Sequence, residues 1–293
     1  MIKGTTKILG VIGDPIEHSL SPIMHNAAIA HLGVDYIYLP FRIKPADLAT
    51  ALAGFTAIGI QGFNVTIPHK QAILPLLTEI TPLAQAVGAV NTVYPVATGW
   101  GGTNTDVPGF LAPLHNLNNI DRNWSQKVAL ILGYGGAARA VVAGCAELGC
   151  AEIHVVGRQA EKLTNFQNSW VNSALPAKLN LQVHSWDNLP NLIPKADLLV
   201  NTTPVGMYPQ MDQSPLEMAL IQLIQPGTIV YDLIYRPKPT LLLHEAAHQG
   251  ALAIDGLEML VQQGAVALNL WLGRPIPVDI MSASLQMALK IRD

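Results

Sequence analysis

Short apolar runs alternate with longer segments of helical periodicity from one end of the chain to the other. The run from Lys7 to Gly13 predicts a buried strand. Ser21 and Pro22 predict a helix with Ser21 as its N-cap, which ends near Gly33. Further predicted strands are 36–41, 58–65, 89–94 and 101–105, and further predicted helices are 45–52, 71–77 and 107–117. Because strands that alternate with helices favour parallel pairing, we expect parallel sheets covered on both faces.

A polar stretch at 116–126 precedes a second segment with the same alternation. Its predicted strands are 128–132, 153–156, 198–202 and 229–233, with a helix at 137–148. Apolar residues at i, i+3, i+4 spacing predict a long helix from Leu257 to Leu272, and a last helix covers 282–291. A length of 293 residues suits two domains of about 150 residues each. The chain is therefore predicted to be an α/β protein with two domains.

The amino-acid composition argues against disordered, nucleic-acid-binding and membrane proteins. Half of the residues are hydrophobic and 13% are charged, which excludes a disordered chain. Seventeen Lys and Arg stand against 20 Asp and Glu without a basic run, so we expect no nucleic-acid partner. No apolar stretch reaches the ~18 residues that span a bilayer and no secretory signal is visible, so we expect no membrane partner. Two cysteines, Cys145 and Cys150, make no disulfide framework, so we expect reduced thiols in a cytoplasmic protein. The sparse charge permits a homodimer.

A glycine-rich turn follows the predicted strand 128–132 and precedes a predicted helix. Its sequence from Gly133 to Ala138 fits the G-x-G-x-x-G/A fingerprint of dinucleotide-binding proteins. The first glycine allows the tight turn, the second allows backbone to approach a pyrophosphate, and the helix N-terminus supplies N–H donors. This context predicts a dinucleotide site. The alternative is a tight turn that binds no ligand.

The end of the next strand distinguishes NADP from NAD. An NAD site places Asp or Glu there to hold the ribose 2′-hydroxyl. This chain has Arg158 instead, with Lys162 one helical turn further on. A guanidinium is a planar donor that suits a 2′-phosphate, so the sequence favours NADP. The alternative is that Arg158 is a solvated surface residue.

Polar loops follow the predicted strands of the first segment. Four segments carry hydroxyl, amide and charged side chains at these loops: 18–22, 64–70, 88–92 and 102–106. Pro68 blocks continuation of a strand, which places Lys70 near the strand's carboxyl end. The chain has few charges, so Lys70 and Asp106 at strand ends are candidates for chemistry. Together these loops predict a site for a small polyhydroxylated molecule.

These segments together resemble the shikimate dehydrogenase family. The motifs that carry the resemblance are His18-Ser19-Leu20-Ser21-Pro22, Asn64-Val65-Thr66-Ile67-Pro68-His69-Lys70, Gly88-Ala89-Val90-Asn91-Thr92, Asn104-Thr105-Asp106, Gly133-Tyr134-Gly135-Gly136-Ala137 and Val261-Gln262-Gln263-Gly264-Ala265. They occur in family order from residue 18 to residue 265. The family reduces 3-dehydroshikimate to shikimate with NADPH, in the shikimate pathway of aromatic amino acid and chorismate biosynthesis.

The resemblance implies a fold and a division of the chain. It implies an N-terminal α/β substrate-binding catalytic domain of residues 1–105 with 256–293, because the C-terminal helices return to it. It implies a Rossmann-type doubly wound NADP-binding domain of residues 106–255. Gly157 departs from the family pattern, in which Asn often precedes the Arg, so one contact to the adenosine end is missing.

The resemblance also implies residue roles. Lys70 and Asp106 are the implied catalytic pair. The implied substrate-binding residues are Ser19, Ser21 and Tyr235 near the carboxylate, and Asn64, Thr66, Asn91 and Gln263 at the ring hydroxyls. The implied cofactor-binding residues are Gly133, Gly135, Gly136, Ala137, Arg158, Lys162, Thr202, Thr203, Met207, Leu233 and Gly256. No metal site is expected.

The chemistry explains why a lysine and an aspartate belong together here. Hydride transfer to a ketone leaves an alkoxide, which needs a positioned acid within about 2.6–3.2 Å. The Lys70 ammonium can donate a proton or stabilise the negative charge, and the residues leave open which of these it does. Asp106 would orient Lys70 and accept a hydrogen bond from a neighbouring ring hydroxyl.

One motif points to another class of enzyme. His244-Glu245-Ala246-Ala247-His248 matches the H-E-x-x-H signature of zinc proteases. The extended signature needs Gly and His three and six residues after the second His, where this chain has Ala251 and Ile254. We therefore expect a helix with a half-exposed polar face, and we expect His25, His31 and His69 to be packed or surface imidazoles.

Two alternatives on the same fold remain. One is a quinate/shikimate dehydrogenase, which comparing turnover of shikimate and quinate would distinguish. The other is a non-catalytic NADP-binding regulator, against which the presence of both Lys70 and Asp106 argues.

Overall fold

The computed structural model describes residues 2–117, 123–170 and 179–292. These residues form two compact units, of which unit 1 comprises residues 1–109 and 260–293 and unit 2 comprises residues 110–259. The predicted polar stretch at 116–126 is described only in part, because residues 118–122 lie outside the described residues.

The strands are β1 (Lys7–Gly13), β2 (Tyr36–Arg42), β3 (Gly62–Val65), β4 (Glu79–Ile80), β5 (Thr92–Val96), β6 (Gly99–Thr103), β7 (Val128–Leu132), β8 (Glu152–Gly157), β9 (Leu181–Ser185), β10 (Leu198–Asn201), β11 (Ile229–Asp232) and β12 (Leu252–Ile254). The helices are α1 (Ser21–Leu32), α2 (Leu48–Ala57), α3 (His69–Ala72), α4 (Pro82–Val87), α5 (Asp106–Asn116), α6 (Gly136–Leu148), α7 (Ala160–Asn168), α8 (Leu189–Leu192), α9 (Met218–Ile221), α10 (Leu241–His248), α11 (Leu257–Leu272) and α12 (Val278–Arg292).

Unit 1 contains a mixed six-stranded sheet in the order β2-β1-β3-β5-β6-β4. β1 pairs with β2 and β3 in parallel, but β5 is antiparallel to both β3 and β6. The expectation of a parallel sheet was therefore wrong for this unit. The reason is the connection between β5 and β6, which is only residues 97–98, and so short a connection can join only antiparallel strands.

Several predicted boundaries in unit 1 were also wrong. The helix predicted at 45–52 is a 3-10 turn at Pro45–Asp47 followed by α2, which extends to Ala57. β3 consequently begins at Gly62 rather than at residue 58. β4 and α4 were not predicted from the sequence. α4 is capped by Thr81, whose Oγ1 accepts from Ala84 N at 3.3 Å.

The start of α1 differs from the prediction in one useful detail. The N-cap is Leu20, so Ser21 is the first helical residue and not the cap. Ser19 Oγ accepts from Ser21 N at 3.3 Å, which satisfies a helix N–H that would otherwise lack a partner. Gly33 ends the helix in the left-handed conformation, as predicted.

Unit 2 contains a fully parallel six-stranded sheet in the order β12-β11-β10-β7-β8-β9, which confirms the expected parallel pairing. Four of its strands were predicted, and β9 and β12 were not. Its core contains buried side chains from the central strands, including Leu130, Leu132, Leu199 and Val230. The chain leaves β7 for β8 on one side and returns through β10 on the other. The carboxyl ends of β7 and β10 therefore meet at a topological switch point, where ligands of such sheets bind.

The C-terminal helices belong to unit 1. The part of the chain from residue 260 onwards clusters with the first 109 residues, and α12 packs against α1. The resemblance implied this return, and the fold confirms it. Among the described residues, no helix has the length and apolar character needed to cross a membrane.

Candidate active site

Lys70 and Asp106 form a partly buried ion pair in unit 1. Lys70 lies on α3, shortly after β3, and Asp106 is the first residue of α5, shortly after β6. Lys70 Nζ donates to Asp106 Oδ2 at 2.5 Å, and the two side chains are 17% and 8% exposed. The structure thus brings together the two charged residues that the sequence singled out.

Asn91 holds the second oxygen of the same carboxylate. Asn91 Nδ2 donates to Asp106 Oδ1 at 2.8 Å, and Asn91 Oδ1 accepts from Thr105 N at 2.7 Å. Because a backbone N–H can only donate, this second bond defines which way the Asn91 amide points. Asn104 caps α5, since its Oδ1 accepts from Asp106 N at 3.0 Å. Each oxygen of the Asp106 carboxylate therefore accepts a hydrogen bond, from Lys70 at Oδ2 and from Asn91 at Oδ1, and these two bonds fix its orientation.

Asn64 extends this network. Its Nδ2 donates to Asn91 O at 3.1 Å and to Thr92 Oγ1 at 3.0 Å, and its Oδ1 accepts from Tyr38 Oη at 2.7 Å. Gln263 joins more weakly, since its Oε1 accepts from Asn91 Nδ2 at 3.4 Å. Four residues far apart in the sequence therefore line one hydrogen-bonded cluster, and all are at most 9% exposed: Asn64, Asn91, Asp106 and Gln263.

The remaining predicted substrate residues occupy other positions. Ser19 and Ser21 lie at the start of α1, and Thr66 directly follows β3. Within the described parts of the chain, no hydrogen bond joins the Ser19 or Thr66 side chain to the cluster. Tyr235 belongs to unit 2 and lies three residues after β11.

Tyr38, the hydrogen-bond partner of Asn64, was not among the residues predicted from the sequence. Tyr38 lies on β2 and is fully buried. A tyrosine in an apolar strand is typical of a packed core residue, so nothing in the local pattern indicates that its hydroxyl bonds to Asn64.

The glycine-rich turn in unit 2 has the geometry that its fingerprint requires. Gly133 has a φ of 103°, and a Cβ there would lie 2.8 Å from Thr202 Oγ1. Gly135 is the N-cap of α6, and a Cβ there would meet nothing within 4 Å. Gly136 and Ala137 are the first residues of α6, so their backbone N–H groups lie at its N-terminus. The turn therefore leaves room for a phosphate beside free N–H donors.

The loop after β10 lies at the same switch point. Thr202 Oγ1 donates to Leu132 O at 2.7 Å, and Thr203 Oγ1 donates to Asn201 Oδ1 at 2.7 Å. Met207 in this loop is 45% exposed. At the neighbouring strand, Leu233 follows β11 directly, and Gly256 N donates to Ile234 O at 3.1 Å.

Arg158 is exposed at the end of β8, and Lys162 is exposed on α7. The Arg158 guanidinium lies over the Trp186 ring, 5.1 Å from its centroid. Such stacking holds the guanidinium plane and leaves its edge of N–H donors for an anion. Gly157 leaves room for the Tyr134 ring, which a Cβ at this position would overlap.

The H-E-x-x-H segment lies on α10. His244 Nδ1 and Glu245 Oε1 are 2.9 Å apart, and the two histidine side chains are 53% and 63% exposed. These three side chains form a group that could hold a metal ion, with ligand atoms within 4.8 Å of one another. The helix buries its opposite face through Leu242, Leu243 and Ala246. Of the other histidines, His25 and His69 are buried and His31 is exposed, as expected.

Fold and sites together define a class. A parallel sheet with a glycine-rich turn at its switch point is typical of nicotinamide-dinucleotide enzymes. A lysine paired with an aspartate can stabilise negative charge on a carbonyl oxygen and can donate a proton to it. The protein is therefore an oxidoreductase of the dinucleotide-dependent class.

Comparisons with known proteins specify the family. The shikimate dehydrogenase substrate binding domain matches residues 11–93, and the shikimate 5′-dehydrogenase C-terminal domain matches residues 256–286. A shikimate dehydrogenase (NADP(+)) from Trichormus variabilis is 62% identical over 290 residues, which are 99% of this chain and 99% of that protein. The chain belongs to the shikimate dehydrogenase family.

Solved structures agree with this membership. A shikimate dehydrogenase in complex with NADP+ matches with a TM-score of 0.88 and 37% identity, covering 99% of this chain and 98% of the other. A shikimate 5-dehydrogenase from Thermus thermophilus, in complex with NADP(H) and shikimate, matches with a TM-score of 0.83 and 34% identity, covering 97% of this chain and 100% of the other.

Proposed function

We propose that this protein catalyses the reversible, NADPH-dependent reduction of 3-dehydroshikimate to shikimate in the biosynthesis of chorismate and aromatic amino acids. The observation that carries the proposal is the Lys70–Asp106 pair in a chain 62% identical to a shikimate dehydrogenase. The buried amides around the pair suit a substrate that presents several hydroxyl groups.

Lys70 and Asp106 act on the carbonyl group of the substrate. Lys70 Nζ donates one hydrogen bond to Asp106 and has two further hydrogens. One of these donates to the carbonyl oxygen of the substrate. The ammonium stabilises the negative charge that develops there and stands ready to protonate it. Asp106, held by Asn91 as well, keeps Lys70 in place and accepts from a neighbouring ring hydroxyl.

The other polar residues of unit 1 orient the substrate. Ser19 Oγ accepts from Ser21 N, so its own hydrogen is available to a carboxylate at the start of α1. Ser21 donates to the same carboxylate, and Tyr235 is a further proposed substrate-binding residue. Asn64, Thr66, Asn91 and Gln263 bond to the ring hydroxyls.

The residues of unit 2 fit NADP. When bound, the cofactor supplies the hydride. Gly133, Gly135, Gly136 and Ala137 place backbone donors at the pyrophosphate, and the open space beside Gly135 accommodates it. Arg158, with Lys162, binds the 2′-phosphate. Thr202, Thr203 and Met207 would contact the nicotinamide end of the cofactor. Leu233 and Gly256 are further proposed cofactor-binding residues.

On this proposal unit 1 is the substrate-binding catalytic domain and unit 2 is the NADP-binding domain. The resemblance implies bounds of 1–105 with 256–293 and of 106–255, whereas the compact units divide at residues 109 and 260, so that Asp106 belongs with Lys70 and Gly256 belongs to unit 2. We place the enzyme in the cytoplasm, where Cys145 and Cys150, both free thiols, stay reduced. Analytical ultracentrifugation tests the homodimer that the sparse charge permits.

A spectrophotometric assay tests the function. Purified protein is given shikimate or quinate, each with NADP+ or NAD+, and reduction of the cofactor is followed by its absorbance. We expect rapid turnover only with shikimate and NADP+. Faster turnover of quinate would replace the proposed substrate, and no reduction with any pair would show that the chain is not a dehydrogenase of these acids.

A further inference from the structure

Two buried aromatic side chains of unit 1 have no role in the chemistry above. His25 on α1 and Tyr38 on β2 are both 0% exposed. Their rings stack in parallel, with centroids 4.0 Å apart and planes 11° apart. Trp271 on α11 covers both rings at a centroid distance of 6.2 Å. The stack is therefore enclosed on several sides and has little freedom.

The backbone of Tyr38 is held as firmly as its ring. Asn26 Nδ2 donates to Tyr38 O at 2.8 Å, and Tyr38 N donates to Asn26 Oδ1 at 2.9 Å. His25 Nδ1 donates to Ser21 O at 2.8 Å, since a carbonyl can only accept. The stack thus joins the start of α1, where Ser21 lies, to the strand that carries Tyr38.

The Tyr38 hydroxyl reaches from this rigid stack to Asn64. Its Oη donates to Asn64 Oδ1 at 2.7 Å. Burial raises the pKa of the Tyr38 phenol well above its usual range, so the hydroxyl keeps its proton. Burial also lowers the pKa of His25 to about 4, so the stacked imidazole is neutral near pH 7.

The consequence for Asn64 follows from counting its hydrogen bonds. Both hydrogens of Nδ2 are used, by Asn91 O and Thr92 Oγ1. Oδ1 has two lone pairs, and Tyr38 occupies one. Asn64 therefore has one acceptor position left and no donor, which suits a hydroxyl group and disfavours a carbonyl or ether oxygen.

We propose that Tyr38, held by its stack on His25, is a positioning and specificity-determining residue that fixes Asn64 as a single acceptor for one hydroxyl of the substrate ring. The proposal rests on the proposed function, because the hydroxyl belongs to shikimate. It assigns Tyr38 no contact with the reacting atoms.

The test is a cycle that combines one protein change with one substrate change. Tyr38→Phe removes a single oxygen and keeps the ring stack and both Asn26 bonds. Shikimate is compared with its two analogues that lack the 4-hydroxyl or the 5-hydroxyl, neither of which is the position oxidised. Tyr36→Phe is the matched control, because it removes the same oxygen two residues earlier on β2, from a side chain that the Lys7 ammonium covers.

We expect Tyr38→Phe to raise KM for shikimate about tenfold, the effect of one neutral hydrogen bond, with kcat within about twofold. KM for NADP+ should match that of Tyr36→Phe, whereas the melting temperature should be lower than that of Tyr36→Phe by a few degrees, because Asn64 Oδ1 loses a buried partner. Loss of a hydroxyl from the substrate raises KM by some factor. For one of the two analogues, this factor should be about tenfold smaller in Tyr38→Phe than in the unchanged enzyme.

The outcomes separate the two proposals. If the missing hydroxyl raises KM by the same factor in both proteins for both analogues, the role of Tyr38 is overturned, because a merely structural residue affects the binding of all these substrates equally. A fall in kcat with unchanged KM would overturn it too. Absence of shikimate oxidation by the unchanged enzyme would overturn the proposed function instead, and this is measured first.

Discussion

The candidate substrate site of unit 1 consists mainly of side chains, whereas the candidate cofactor site of unit 2 consists mainly of backbone groups. In unit 1 the functional groups are side chains that bond to one another, such as Lys70, Asp106 and Asn91. In unit 2 they are chiefly backbone N–H groups of the turn at Gly133 to Ala137, with Arg158 as the charged side chain at the strand end.

The two kinds of site respond differently to single substitutions. Removing one atom from a side-chain network leaves a buried partner without its bond, which costs more than the bond contributed. A backbone site has no such atom to remove by substitution, so its selectivity depends on the few side chains at its rim.

Loss of the Lys70 ammonium should have the largest effect. We expect Lys70→Ala to lower kcat by about 10²–10⁴-fold with a smaller change in KM, the scale of a lost general acid. Steady-state kinetics with shikimate and NADP+ measure this. Lys44→Ala, at an exposed lysine of the same unit, is the control. Near-normal turnover of Lys70→Ala would remove the residue from the mechanism.

Unit 1 should lose stability in mild acid because of His25. Burial lowers its pKa from 6.5 to about 4, so between these values the unfolded chain binds a proton that the folded chain does not. The free energy of unfolding contributed by His25 is complete above pH 6.5 and falls by about 3 kcal/mol as the pH drops toward 4. Urea unfolding of the native protein and of His25→Phe across this range measures it. The same slope in both proteins would contradict the assignment.

Unit 2 should respond in the opposite direction because of Asp232. Burial raises its pKa from 3.8 to about 6, despite hydrogen bonds from Thr240, Ile234 and Asn201 that lower it. The folded state therefore holds the Asp232 proton more tightly than the unfolded chain does. The contribution of Asp232 to the free energy of unfolding is complete below pH 3.8 and falls by about 3 kcal/mol as the pH rises through 6. Asp232→Asn should flatten this dependence, and peptide-resolved hydrogen exchange would assign it to unit 2. A variant that keeps the native pH dependence would exclude Asp232 as its source.

Selectivity for the phosphorylated cofactor should depend on Arg158. We expect Arg158→Ala to raise KM for NADPH about tenfold or more, as for hydrogen bonds to a charged group, and to leave KM for NADH nearly unchanged. The NADH measurement on the same variant serves as the internal control. Equal increases for both cofactors would show that Arg158 does not distinguish them.

Chelation should have no effect on the reaction. His244, Glu245 and His248 lie together on α10, but the Lys70 ammonium already supplies positive charge in the candidate active site. Enzyme dialysed against EDTA should therefore retain its rate in the shikimate assay. A rate lost on dialysis and restored by zinc would give these residues a functional role.

Prediction from sequence was better for unit 2 than for unit 1. A parallel sheet arises from repeated strand–helix units, so its four central strands were visible as local apolar runs, and the turn at Gly133 is a contiguous motif. The two edge strands, β9 and β12, were not predicted. In unit 1 the short connection between β5 and β6 changes the pairing to antiparallel, and the extension of α2 to Ala57 displaces the start of β3. Neither feature leaves a signal in the hydrophobic pattern.

The class of fold, the fingerprint turn and the residue types of the site could be predicted from the sequence, because glycine, proline, lysine and aspartate act through local backbone geometry or charge. Which of these residues meet in space depends on the tertiary structure. Asn64, Asn91 and Asp106 are joined by hydrogen bonds to residues far along the chain, and the Tyr38 hydroxyl reaches Asn64 across the sheet. Such bonds depend on distances between side chains of about 3 Å, and those distances follow from how the elements pack rather than from the order of the residues.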